Sequence, residues 1–318
     1  MKKHSNGFLL AIITTVAAVS LAGCSGNQGN ANTTATSTVT PPPTQALKVV
    51  PTPQSVLDQK KERGQQDEAK PELHVISPAD GAVIVGPVVP VKLHLAGDLK
   101  GYKPHKDPAT QKGNHIHVIL DNEPYEAYYE LDQPFELRNV VAGKHTLRVF
   151  PSRPWHESYK SDGAFRMVTF TVKSGGDASK PTTTSTGQTL ANNNSAGSAQ
   201  ATPEFKDMPA STAGDVDPSK PLLTYSRPKG EYKGAEADPI MIDFWLSNAR
   251  LKGDGGQYRV RYIVDDDEPR YIDKWEPVWL SGWLSGKHTV RLELLGPDEF
   301  PVKNGDFNIT TREITVVK

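Results

Sequence analysis

A chain of 318 residues with a single cysteine has to fold without an internal disulfide. That cysteine, Cys24, stands near the start of the chain. Every domain beyond it must therefore be held by its own hydrophobic core, and no cysteine-based metal site or nucleophile is available to those domains. Cys24 closes the run Leu21-Ala22-Gly23-Cys24. Ahead of the run lie Lys2, Lys3 and an apolar stretch over residues 8–21. The stretch is shorter than the roughly 20 apolar residues of a membrane-spanning helix. A charged start, a short apolar run and small residues before a cleavage point make a secretory signal peptide.

The four residues ending at Cys24 resemble a bacterial lipobox, the recognition sequence of the lipoprotein signal peptidase. The resemblance implies removal of residues 1–23, acylation of Cys24, and a mature protein held by lipid on the extracytoplasmic side of a membrane. Each buried acyl CH₂ contributes about 0.8 kcal/mol, and two or more chains make such anchoring stable. Ser25 rather than Asp follows the cysteine. In a didermal envelope of the enteric kind, that resemblance implies the outer membrane.

The net charge is −1 and no basic block occurs, which speaks against nucleic acid as a partner. The hydrophobic fraction of 36% is low and unevenly spread. Residues 24–70 and 174–220 are rich in Asn, Thr, Ser, Gln and Pro, and include Pro41-Pro42-Pro43 and Asn192-Asn193-Asn194. Neither stretch holds enough apolar surface to offset chain entropy, so they are expected to be a disordered tether and a disordered linker. A charged helix over residues 57–69 is expected to be transient, because it has no apolar face to dock.

Two segments remain, 71–173 and 221–318, each of common domain size. Both show short alternating apolar runs separated by Gly, Pro, Asn and Asp. Strands are expected over 89–95, 115–120, 135–141, 145–150 and 165–172, and over 240–246, 258–264, 288–294 and 309–317. The segments also match each other. Val118-Ile119-Leu120-Asp121 aligns with Tyr262-Ile263-Val264-Asp265, and Gly143-Lys144-His145-Thr146 with Gly286-Lys287-His288-Thr289. One inserted residue is placed before Pro269. A duplicated domain follows. Ser77-Pro78-Ala79-Asp80-Gly81, the Asp-containing turn and the Gly-x-His-Thr run are similar to bacterial Ig-like domains. The resemblance implies an all-β fold: two Ig-like antiparallel β-sandwiches joined by the linker and preceded by the tether.

Residues shared by the two repeats read as fold. His145 and His288 are expected to be strand-start histidines bonded to loop backbone, and Asp121 and Asp265 turn residues. Unshared residues are the better functional clue. His115 and His117 alternate with Ile116, Val118 and Leu120, so they point away from the core and are expected on an open outer face. Arg259 and Arg261 align with them. In an Ig-like sandwich, residues 97–114 form the B–C loop and the run after strand F forms the F–G loop, and these cluster at one end. A low-specificity candidate site therefore gathers His105, His115, His117, Trp155, His156 and Glu157.

Three readings compete for it. Imidazoles with a carboxylate suit Cu(II), Zn or Ni. Trp155, Tyr102, Tyr159 and Arg153 suit a glycan or protein partner. The plain alternative is a solvated sheet face with an ordered loop. Trp275, Trp279 and Trp283 span loop and strand E, and at least one is expected in the core. No nucleophile elbow, phosphate loop or zinc-protease motif is present. The expected role is thus an envelope lipoprotein presenting two sandwiches to a protein or glycan partner, rather than an enzyme. It needs no cofactor, with divalent metal binding as the alternative.

Overall fold

In the computed structural model, residues 45–185, 211–214 and 216–318 are described. Cys24 and the lipobox lie outside them. The first sandwich starts with β2 (Lys70–Ser77), which pairs with β4 (Val89–Asp98). β4 pairs in turn with β7 (Phe135–Arg138). The facing sheet has the order β3 (Ala82–Ile84), β9 (Arg166–Val172), β8 (Gly143–Ser152), β5 (His115–Leu120) and β6 (Glu126–Tyr128). All pairs are antiparallel except β3 with β9. Alternation builds these strands: Val89, Val91 and Leu93 are buried while Pro90, Lys92 and His94 face water.

The second sandwich repeats this order. β11 (Leu222–Arg227), β13 (Ile240–Ser247) and β16 (Val278–Ser281) form one sheet. β12 (Gly230–Lys233), β18 (Ile309–Val317), β17 (Gly286–Leu295), β14 (Arg259–Val264) and β15 (Arg270–Ile272) form the other, again with one parallel pair, β12 with β18. Val118 faces Glu126 in one repeat and Tyr262 faces Arg270 in the other, so the two turns have equal length. The insertion expected before Pro269 is absent, and Tyr125 takes that proline's place. Each repeat carries the same brace. His145 Nδ1 lies 2.9 Å from Asp121 Oδ2 and its Nε2 2.9 Å from the Val141 carbonyl. His288 does likewise with Asp265 at 2.8 Å and Leu284 at 3.0 Å. Trp283 is buried in the second core, as expected for at least one tryptophan of that segment, whereas Trp279 is buried outside that core, against Met241.

Three expectations need correction. Part of the tether is structured. β1 (Lys48–Val50) adds to β16, and α1 (Gln54–Arg63) follows it. The helix docks without an apolar stripe: its one buried residue, Val56, packs with Met241 and Trp279, while Arg63 donates to Asn114 Oδ1 and Tyr159 Oη. Polar anchors replace the missing apolar face.

The ends of the linker are also structured. β10 (Thr183–Ser185) pairs with β7, and Ser211 donates to Asp121 Oδ2. Polar chain satisfies its backbone here by joining a sheet edge. Residues 186–210 lie outside the described residues.

Last, the outer face of β5 and β8 is covered, not open. β11 lies against it, with Arg148 donating to Thr224 Oγ1 and Trp245 stacking on Phe165 and Phe150. Ser158 donates to the buried Asp243 across the same seam. The reason is apolar: Phe150, Phe165 and Trp245 carry large surfaces that gain by leaving water together. Among the described residues, no helix is long and apolar enough to cross a membrane.

Candidate metal centre

Period-two alternation places His115 and His117 on the side of β5 away from Ile116 and Val118, as expected. The second sandwich then closes over them, and both are fully buried. The F–G loop brings a third imidazole. Arg153 to Glu157 is a tight turn, closed by bonds from His156 N to Arg153 O and from Arg153 N to Glu157 O. His156 sits in this turn at φ 70°, a conformation that L residues seldom adopt. The turn aims its ring at β5. His115 Nε2 then lies 3.0 Å from His117 Nε2 and 3.0 Å from His156 Nδ1. The three nitrogens all fall within 4.8 Å of one another. His156 is partly exposed.

Outer contacts orient the rings. His115 Nδ1 lies 2.9 Å from the Gly113 carbonyl. Only an N–H satisfies a carbonyl, so Nε2 turns its lone pair to the cluster. His117 Nδ1 meets Ser226 Oγ of the second sandwich at 3.1 Å. The Tyr125 ring stacks flat on His117, and its hydroxyl lies 3.1 Å from His156 Nδ1. His115 and His117 are thus held through the nitrogen that faces away from the cluster, as metal-binding histidines characteristically are.

Burial pushes the His115 pKa from 6.5 to about 3. The Gly113 carbonyl opposes the fall, while Arg227, Lys229 and Lys106 add to it. His117 and His156 are also held well below the ordinary value, first by burial and then by neighbouring cations and each other. All three are therefore neutral near pH 7, the form that binds metals.

The other predicted residues go elsewhere. His105 is exposed, and its backbone N–H closes the B–C loop onto Asn114. Trp155 donates to Glu157 Oε2 at 2.7 Å and packs under α1, with Lys60 and Arg63 over its ring. Glu157 is paired with Lys60 at 3.1 Å and Arg153 at 3.5 Å. Trp155 and Glu157 thus hold the helix, because neighbours in a tight turn point in different directions. Ser152 Oγ donates to the Glu157 carbonyl and Ser158 Oγ to Asp243, so neither is aimed at His156 as a nucleophile. Tyr125 and Ser226 escaped the sequence reading. Tyr125 was legible as a difference between the repeats, whereas nothing marked Ser226.

No family model matches the chain, and no curated protein matches it. Several solved structures are similar to it. The fibronectin(III)-like modules of Clostridium thermocellum CbhA share 11% identity over 77% of this chain and 93% of that one, with a TM-score of 0.23. Bacteroides ovatus SGBP-B, solved with a mixed-linkage heptasaccharide, shares 11% over 77% and 70%, with a TM-score of 0.21. The D00-D0 domain of intimin shares 9% over 78% and 100%, also with a TM-score of 0.21. Likeness at this level says nothing of ligand or activity. The chain is a tandem of Ig-like β-sandwiches on the strength of its own strand pairing.

Proposed function

We propose that this protein is an envelope lipoprotein that binds one divalent transition-metal ion through His115, His117 and His156, at the seam of its two sandwiches. The observation that carries the reading is the convergence of three imidazole nitrogens, on two buried side chains and one partly exposed one, with two of the nitrogens 3.0 Å from the third. Proton accounting favours a cation there. The single lone pair of His115 Nε2 faces two other ring nitrogens and can accept one good hydrogen bond. Imidazole nitrogens suit Zn, Cu and Ni, and the ring orientation by Gly113 and Ser226 is that of a supported site. The lipobox supports anchoring through acylated Cys24.

Equilibrium dialysis of the purified chain against Zn²⁺ or Cu²⁺ tests the site. One equivalent is expected, bound much more weakly by His156→Ala and unchanged in His105→Ala. Equal binding by both variants refutes it. Anchoring is tested by fatty-acid labelling in the source bacterium, expected to vanish in Cys24→Ser.

A second reading, a protein or glycan partner, moves from Trp155 to a groove of about 400 Å³ beside β1. Val50, Tyr271, Asp273, Glu276 and Trp279 line it, and Tyr271 is 45% exposed. A glycan array with Tyr271→Ala as the control addresses this reading.

A further inference from the structure

We infer that residues 45–69 act as a clasp on the F–G turn and that Asp67 is the residue through which the clasp positions the His156 ring, an inference that rests on the three-imidazole reading above. The turn over residues 153–157 carries three long side chains besides His156, and each runs to this segment. Arg153 Nε donates to Asp67 Oδ1 at 2.7 Å, and its Nη2 donates to the Asp67 carbonyl at 3.0 Å. Glu157 is paired with Lys60 at 3.1 Å. Trp155 packs on the cluster of Val56, Met241 and Trp279, under Lys60 and Arg63. Just past the turn, Tyr159 Oη accepts from Arg63 at 2.6 Å and donates to the Gln66 carbonyl at 3.0 Å. His156 points the other way, to His115 on β5.

The turn needs such support. His156 holds φ 70°, and a backbone of this kind persists where its surroundings over-determine it. A metal ligand has to sit within about 0.5 Å of its productive place, which takes a supporting shell. Two backbone bonds set the shape of the turn, and contacts outside it set where that shape sits over β5. The clasp is itself fixed at its far end. Leu47 is buried in the second core, Arg270 donates to the Leu47 carbonyl at 2.8 Å, and β1 pairs with β16. His115 and His117 are thus placed by β5 of the first sandwich, whereas His156 is placed through a segment braced on the second. The loop after β17, its counterpart in the second repeat, leaves Phe300 71% exposed, so cover of this kind is no requirement of the fold.

The test is titration of the purified full chain with Zn²⁺ and, separately, Cu²⁺, set beside amide hydrogen exchange at His156 in the metal-free protein. Asp67→Ala leaves all three imidazoles in the chain. It should weaken binding of whichever ion the wild type takes up by about tenfold. It should also speed exchange at the His156 amide, whose bond to the Arg153 carbonyl closes the turn. Asp67→Asn, which can still accept from Arg153 Nε, should keep most of the affinity. Glu68→Ala is the control: that carboxylate is 70% exposed and pairs with Lys100, away from the turn, so binding and exchange should match the wild type. Wild-type affinity in Asp67→Ala, unchanged exchange at His156, or an equal loss in Glu68→Ala overturns the clasp and leaves the imidazole reading standing. A wild-type chain that takes up neither ion overturns both.

Discussion

Strands β5 and β14 hold the same place in the same topology, yet their outer faces have opposite fates. On β14, Arg259 and Arg261 remain part-exposed at the surface, paired with Asp273 and Glu293. On β5, the matching His115 and His117 are sealed under the second sandwich. The pattern along β14 is the alternation of a half-buried strand, whereas every residue of β5 is buried. A strand encodes which residues share a face; what covers that face is decided by another part of the chain. Arginine tolerates the open face, where it meets carboxylates. Imidazole, which can shed its charge, tolerates the closed one.

The largest expected effect comes from opening the covered face. Trp245→Ala removes the indole that stacks on Phe150 and Phe165 and should cost about 3–5 kcal/mol. Chemical denaturation should show it, and should turn one unfolding transition into two as the sandwiches uncouple. A variant that still melts in one step at the wild-type midpoint would mean that the seam contributes little.

Next comes the brace shared by both repeats. Asp121 is 1% exposed and Asp265 37%. Asp121→Asn should therefore cost roughly 3 kcal/mol, as for a broken buried pair, and Asp265→Asn about 1 kcal/mol or less. Burial pulls the His145 pKa down, but the hydrogen bond and charge of Asp121, with the Val141 carbonyl, outweigh it and the net shift is upward. A raised folded-state pKa gives stability that is complete below the ordinary 6.5 and is lost as pH rises above it. Asp121→Asn should flatten that part of the pH profile, and Asp265→Asn should leave it in place.

The His cluster gives the opposite slope. His115 falls from 6.5 to about 3, so the unfolded chain binds the proton first as pH drops. Stability should decline from about pH 6.5 towards pH 3, by on the order of 2 kcal/mol at pH 5 from this residue. His115→Phe should reduce the slope when denaturation is compared at pH 7 and pH 5. The smallest effect belongs to the open face: Arg259→Ala should cost under about 1 kcal/mol, since its partner Asp273 is 44% exposed.

Much of this fold was legible in the sequence. Alternation gave 115–120 and 309–317 with the bounds observed, and topology brought His115 and His156 to one end. What stayed hidden depends on contacts between distant segments. Lys60, Arg63 and Val56 dock α1 through one apolar contact and several polar ones, so no stripe announces the helix. Ser226 reaches His117 only because β11 crosses the seam. Trp155 and Glu157 share a loop with His156, yet a five-residue turn sends them to the helix and the histidine to β5.

X-ray absorption of the metal-loaded chain tests the central claim most directly, because it counts the imidazoles bound to the ion. Three imidazoles at roughly 2.0–2.1 Å are expected, falling to two in His156→Ala where metal is still retained. An ion surrounded by oxygen alone, or an unchanged imidazole count in that variant, would contradict the assignment of His115, His117 and His156.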